Sequence, residues 1–279
     1  MDARFRPLEE ALTGGDFDRV KALLAVDPDL ARARSSCSHP NLLQCLVLVD
    51  PPHDALEQLI HLLADYGSEL TGPLIAATCI DNVRGMNVLL DRGAHIEGDG
   101  RWSPLEESLY WGFVRAANLL LERGAKIDNL RKAAALGRID VLREQFDANG
   151  KLKPSAGLIA SPFEGIDAKL SEEVRHDPRQ IINNGLVYAA GWGQIPAMQE
   201  LLNRGAQINA IPAGFDFAGT PLHYAALRGR RDTVEWLLAR GADLSVRDPK
   251  VDRMPEDWAA HDEHNELAAF MRERRERAS

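Results

Sequence analysis

The histidines and cysteines are the residues that could bring metal or nucleophilic chemistry to this sequence, and their spacing argues against both. His261 and His264, in HDEHNE, stand three apart on a predicted helix with Asp262 and Glu263 between them. Two histidines on one helix face could ligate a metal, but zinc needs three or four ligands and no third strong one is local. The pair reads as a solvated polar face, and no metal or cofactor is expected. Cys37, Cys45 and Cys79 are odd in number and match no metal pattern. They read as reduced, mostly buried thiols of a reducing compartment. His53, beside Pro51-Pro52, and His176 have no visible partners. No GxSxG, GxxxxGK[ST], HExxH or GxGxxG occurs, so catalysis finds no support in motifs. Acidic pairs such as Glu106-Glu107 and Glu172-Glu173 read as solvated charges, and the chain is not expected to be an enzyme.

The elements that would position any site come from composition and periodicity. The chain has 279 residues, 45% hydrophobic and 27% charged, with a net charge of −9. This is globular composition. Net acidity repels phosphate backbones, so nucleic acid is not an expected partner. The N-terminal MDARFRPLEE lacks an apolar leader core, and no apolar run of about 18 residues occurs. No membrane partner is expected, and the chain is expected to be soluble and cytoplasmic.

Residues 219–248, GTPLHYAALRGRRDTVEWLLARGADLSVRD, give the pattern of one unit. Thr220-Pro221 opens a helix with a side-chain cap and a first-turn proline. Leu222, Ala225 and Ala226 form a narrow apolar stripe, and Gly229 ends the helix. Val234, Leu237 and Leu238 follow at helical spacing before Gly241. Two short antiparallel helices result, with an apolar face that the unit cannot bury alone.

The pattern recurs at roughly 25–36 residues: about 5–30, 39–70, 72–97, 102–128, 129–150, 184–209 and 219–248, with a capping repeat at 254–276. The recurring TPLHxAA…G…LLxxGAD resembles the ankyrin repeat family, most closely at Thr220–Ala226. The resemblance implies an all-α solenoid of about eight helix pairs with short β-turn fingers, spanning 1–279 as one repeat domain. Stability would then sum over neighbouring repeats, with polar outer faces on the end repeats. The terminal RERRERAS fits a solvated cap, with arginines suited to a helix C-terminus. The resemblance also implies that His223 is the family's structural histidine, tying its turn by hydrogen bonds.

Two departures from the repeat stand out. Residues 151–183 form an insert that displaces the next copy by about 23 residues; it is either a loop packed on its own repeats or a lid that contacts a partner. Asp177-Pro178 within it predicts that the helix leading into Tyr188 begins early. The second departure is a long finger, 209–219, expected to project Phe215 and Phe217 at its tip.

In the implied stack, residues just before the inter-helix glycine, and those at finger tips, face a concave groove. These positions hold Tyr110-Trp111, Ala135-Leu136, Gly191-Trp192 and Leu227-Arg228, with Trp102, Phe215 and Phe217 on fingers and Tyr188 and Tyr224 on first helices. Exposed rings are costly unless covered, and such residues dominate binding energies. The expectation is a protein–protein interaction module. It would bind through Trp102, Tyr110, Trp111, Tyr188, Trp192, Phe215, Phe217 and Tyr224, with Arg228 as a charge selector. The alternatives are packing of these rings within the chain, small-molecule binding or enzymatic activity in a pocket built by the insert against the aromatic face, and a nucleic-acid or anionic-surface binder using Arg228, Arg230, Arg231, Arg240 and the arginine tail.

Overall fold

Thr220, Pro221 and Gly229 show how one unit is built. In the computed structural model, which describes residues 4–34, 41–49, 51, 53–100, 102–162 and 170–278, Pro221–Leu227 is a helix. The Thr220 hydroxyl oxygen accepts the His223 backbone N–H at its N-terminus. Gly229, at φ +62°, reverses the chain into a second helix, Arg231–Leu238. A left-handed residue at this turn suits glycine because it has no Cβ to clash. The same turn recurs with positive φ at Gly15, Gly112, Gly137 and Gly193, and at the non-glycine residues Asp81 (+56°) and Glu263 (+64°).

The described residues are helical, with a single isolated bridge between Phe146 and Leu152 and no strand. The chain separates into two compact units, Met1–Lys126 and Ile127–Ser279. The described residues of each unit form an all-α stack of helix pairs. The first holds α1 (Arg6–Thr13), α2 (Phe17–Val26), α3 (Leu42–Val49), α4 (His53–Asp65), α5 (Thr71–Thr78), α6 (Val83–Asp91), α7 (Pro104–Trp111) and α8 (Val114–Glu122). First helices α1, α3, α5 and α7 pack in series, and second helices α2, α4, α6 and α8 form a parallel row behind them.

A 31-residue register organises this unit. Leu43, Leu74 and Leu105 occupy equivalent places on α3, α5 and α7, and each is fully buried. Each such leucine contributes about 1.5–3 kcal/mol by leaving water. Side chains stitch the repeats together: Asn82 Nδ2 donates to the Val47 carbonyl at 2.9 Å, and the Ala116 N–H to Asp81 Oδ1 at 2.9 Å. Asp81 therefore takes the left-handed turn position and also bonds the following repeat.

The second unit holds α9 (Leu130–Ala135), α10 (Ile139–Glu144), α11 (Glu172–His176), α12 (Pro178–Gly191), α13 (Ile195–Asn203), α14 (Pro221–Leu227), α15 (Arg231–Leu238), α16 (Pro255–His261) and α17 (Asn265–Ala278). As Asp177-Pro178 indicated, α12 starts early: the Asp177 side chain caps it, and it runs 14 residues. The described part of the insert packs on its own unit. Ala156, Ile159 and Ala160 are buried, and the Ile159 N–H and carbonyl bond Arg175, through its carbonyl at 3.0 Å and its Nη1 at 3.1 Å. Residues 163–169, including Gly165, lie outside the described residues, as does Cys37.

Candidate functional site

The expected site residues fall into two groups, one in each unit, and the structure treats them differently. In the second unit the 209–219 finger folds back over the first helices. Gly214, at φ +95°, lets it do so, since a Cβ there would sit 2.8 Å from Ile159 Cγ2. Asn184 Nδ2 donates to the Ala213 carbonyl (3.1 Å) and the Ala213 N–H to Gln180 Oε1 (3.1 Å). Phe215 thereby packs against Tyr188, with ring centroids 5.3 Å apart, and against Tyr224 at 4.8 Å. Tyr224 meets Trp258 at 5.3 Å and donates its hydroxyl to the Phe217 carbonyl at 2.7 Å.

This corrects the expectation that Tyr188 and Tyr224 are exposed: both are buried, because the finger inserts Phe215 against them. Trp192, Phe215 and Arg228 are half-buried. Burial pulls the Arg228 guanidinium down to about 10, and its side chain lies against Gly191 and Tyr224. Phe217 stays exposed at the finger tip, with Lys250 Nζ 4.4 Å above its ring. Trp258, which sequence reasoning passed over, anchors the group: its indole N–H donates to Asp248 at 3.0 Å. Burial works to raise the Asp248 carboxyl, but the N–H donors of Val251, Trp258, Arg253 and Lys250 outweigh it and hold it below its usual range.

His223 is fully buried and acts as a turn fastener. Its Nδ1 accepts from the Thr220 N–H (3.2 Å), and Nε2 lies 3.2 Å from the Arg253 carbonyl. This network assigns the neutral tautomer protonated on Nε2. Burial pushes its pKa down to about 4.

In the first unit the site is built around Glu107, which the sequence suggested was solvated. Glu107 is buried, as is Glu106, whose carboxylate accepts the Ser103 N–H at 2.9 Å and closes a capping box on α7. Glu172 and Glu173, by contrast, are exposed. The Glu107 carboxylate accepts the indole N–H of Trp102 at 2.5 Å and that of Trp111 at 2.7 Å. Burial raises its pKa against the pull of those two donors. Tyr110 stands edge-on to both indoles, 5.9 Å from Trp102 and 5.2 Å from Trp111. Tyr110 was expected to be exposed but is buried, since its ring fills the angle beside the two indoles. Burial, with the Glu107 charge adding to it, pushes the Cys79 thiol up to about 11. A thiol so raised is a poor nucleophile.

Trp111 stays exposed, and the 31-residue register gives it company. Val49 on α3, Ile80 just past α5 and Trp111 on α7 are equivalent positions, and they are 48%, 41% and 42% exposed. One row back in the same register, Leu48 and Cys79 are half-buried and Tyr110 is buried. The first-helix layer of this unit therefore presents an apolar row across three consecutive repeats. The glycine rule pointed to Trp111 but missed Val49 and Ile80, because aspartate follows each of them where glycine was sought.

Residues 159–248 match the family model for ankyrin repeats, in three copies. Residues 159–248 are ankyrin repeats. Ankyrin repeats are in general protein–protein interaction modules, and the fold is typically non-enzymatic. A curated relative, the E3 ubiquitin-protein ligase hecd-1 of Caenorhabditis elegans, is 30% identical over 151 residues, covering 50% of this chain. The chain spans only 5% of that protein's length. The solved human ASB11 ankyrin repeat domain aligns at 20% identity with a TM-score of 0.42, over 95% of this chain and 97% of that one.

A small cleft lies beside the insert among the described residues. Arg131, Ala156, Leu158, Ile159, Ile181 and Asn184 line it, and it holds about one water. Among the described residues no cluster of three or more His, Cys, Asp or Glu could hold a metal ion. No helix among them is long and apolar enough to cross a membrane.

Proposed function

We propose that this protein binds a partner protein through the first-helix face of its N-terminal unit, with Trp111 as the central anchor and Trp102 beside it. One observation carries the reading: Val49, Ile80 and Trp111 expose apolar side chains at the same register position of three successive repeats. A contiguous exposed apolar row of this kind is costly in water unless a partner covers it. Tryptophan is also the residue most enriched among binding hot spots. The hydrogen bond to Glu107 fixes the Trp111 indole before any partner arrives, which lowers the ordering cost of binding.

The second unit contributes less to this reading. Its finger already covers Tyr188 and Tyr224, leaving Phe217 at the tip, with Trp192 and Arg228 half-buried, as the residues open to a partner. We place the protein in the cytoplasm on its three cysteines, an odd number at spacings that match no metal pattern.

A photo-crosslinking amino acid placed at Ile80 tests the reading in cell extract, with the same group at Val26 on α2 as the control. Val26 is 85% exposed, so it reports random collision. A discrete protein adduct at Ile80 and not at Val26, lost in the folded Trp111→Ala variant, supports the assignment. The same adducts at both positions would overturn it.

A further inference from the structure

The three helices that carry the apolar row have a second property: they are without cations. Helices α3, α5 and α7 carry no lysine or arginine among them, while α7 carries Glu106 and Glu107. The basic residues of this unit sit largely on its second helices and turns, where they are engaged. Arg84 lies by Glu57, Arg92 pairs with Asp65, Arg115 lies by Asp81 and Arg123 pairs with Asp91. Residues 1–126 hold 12 Lys and Arg against 19 Asp and Glu, so −7 of the chain's −9 resides in this unit. Arg101 is part of that count and lies outside the described residues.

Resting on the reading above, we infer that the occupant of the Val49–Ile80–Trp111 row is a basic amphipathic helix of the partner protein. Three features of the unit carry this. The row is apolar, so the partner segment must present an apolar stripe. The unit around it is acidic, which attracts a basic segment and repels an acidic one. The spacing also fits: packed helices stand about 8–10 Å apart, and residues seven apart on a helix are separated by about 10.5 Å. A partner helix lying across α3, α5 and α7 can therefore set one apolar side chain on each repeat, with Lys or Arg flanking the stripe. Glu107, under Trp111, gives the row an acidic end at which a flanking cation is favoured.

The test uses the full chain and three synthetic fluorescein-labelled helices of about 18 residues. The first has leucines seven apart on an alanine–lysine background. The second replaces each lysine with glutamate, and the third replaces each leucine with alanine. Fluorescence anisotropy is read for the wild type, a Val49→Ser/Ile80→Ser variant and a Val26→Ser control, with circular dichroism confirming that each is folded.

The expected result is binding of the lysine–leucine helix to wild type and to the Val26 control. Affinity should fall at least about ten-fold in the Val49→Ser/Ile80→Ser variant, with the other two helices weaker by a similar factor. Equal binding by the variant would overturn the inference, because attraction would then be unspecific. Tighter binding of the glutamate helix would overturn the charge assignment and leave the face itself standing. No binding of any helix, alongside a specific adduct at Ile80, would likewise reject the basic helix while keeping the proposed interaction face.

Discussion

The indole N–H of Trp111 donates to the carboxylate of Glu107, one helical turn back on α7, at 2.7 Å. With Trp102 bonded to the other oxygen, a single buried carboxylate orients two tryptophans beside a partly exposed surface. Such an arrangement favours a fixed binding surface over a mobile one, because neither ring can rotate without losing its acceptor.

Glu107 should reveal itself in the pH dependence of stability. Its pKa is raised above 4.5 by burial, so the folded chain holds this proton more tightly than the unfolded one. Stability contributed by this group is then lost as pH rises from the unfolded value through the folded one. Denaturant unfolding of wild type and Glu107→Gln across this range should show the wild-type advantage shrinking as pH increases. An advantage that grows with pH would mean the indole donors outweigh burial.

His223 carries the opposite sign. Its folded pKa is pushed down to about 4 from 6.5, so the unfolded chain binds its proton first. Stability is full above about 6.5 and falls as pH drops towards 4, by about 3 kcal/mol for a shift of this size. Replacing it as His223→Gln should flatten that slope in urea melts, while lowering stability at pH 7 through the lost Thr220 and Arg253 bonds. An unchanged slope would show that His223 is not buried as described.

Glu263 occupies a left-handed turn position that glycine fills in five other repeats of this chain with described turns, Gly15, Gly112, Gly137, Gly193 and Gly229. Relief of its φ of +64° in Glu263→Gly should stabilise the chain by about 0.5–1 kcal/mol, after the extra unfolded-state freedom of glycine is subtracted. A thermal melt should rise by about 1–3 °C. Asp81→Gly should gain nothing, because Asp81 also accepts the Ala116 N–H.

Gly214 holds the finger down. Gly214→Ala forces a Cβ within 2.8 Å of Ile159 Cγ2 at a φ of +95°. It should destabilise by about 2–4 kcal/mol through backbone strain and overpacking. Proteolysis should then cut first near residues 209–219, since that segment loses its seat on Tyr188 and Tyr224. Cleavage unchanged from wild type would show that the finger is held elsewhere.

Much of the architecture was legible in the sequence because the repeat writes the same physics many times over. Pro221 and Thr220 announce a helix start, Gly229 a stop, and the recurrence gives the stacking. The site was less legible. Whether a ring at Tyr188 or Tyr224 meets water depends on where the 209–219 finger goes, and nothing local to either tyrosine records that. Glu107 looked like an ordinary surface acid because its burial comes from Trp102 and Trp111 closing over it. Val49 and Ile80 were within reach: aligning 49, 80 and 111 in the 31-residue register shows the row, once aspartate is allowed where glycine usually stands.

Hydroxyl-radical footprinting of the purified chain, alone and bound to the partner recovered by crosslinking at Ile80, tests the proposed face most directly. Protection of Trp111, Ile80 and Val49, with Val26 unchanged, is the expected outcome. Protection confined to Phe217 and the second-unit finger, with Trp111 oxidised equally in both samples, would contradict it.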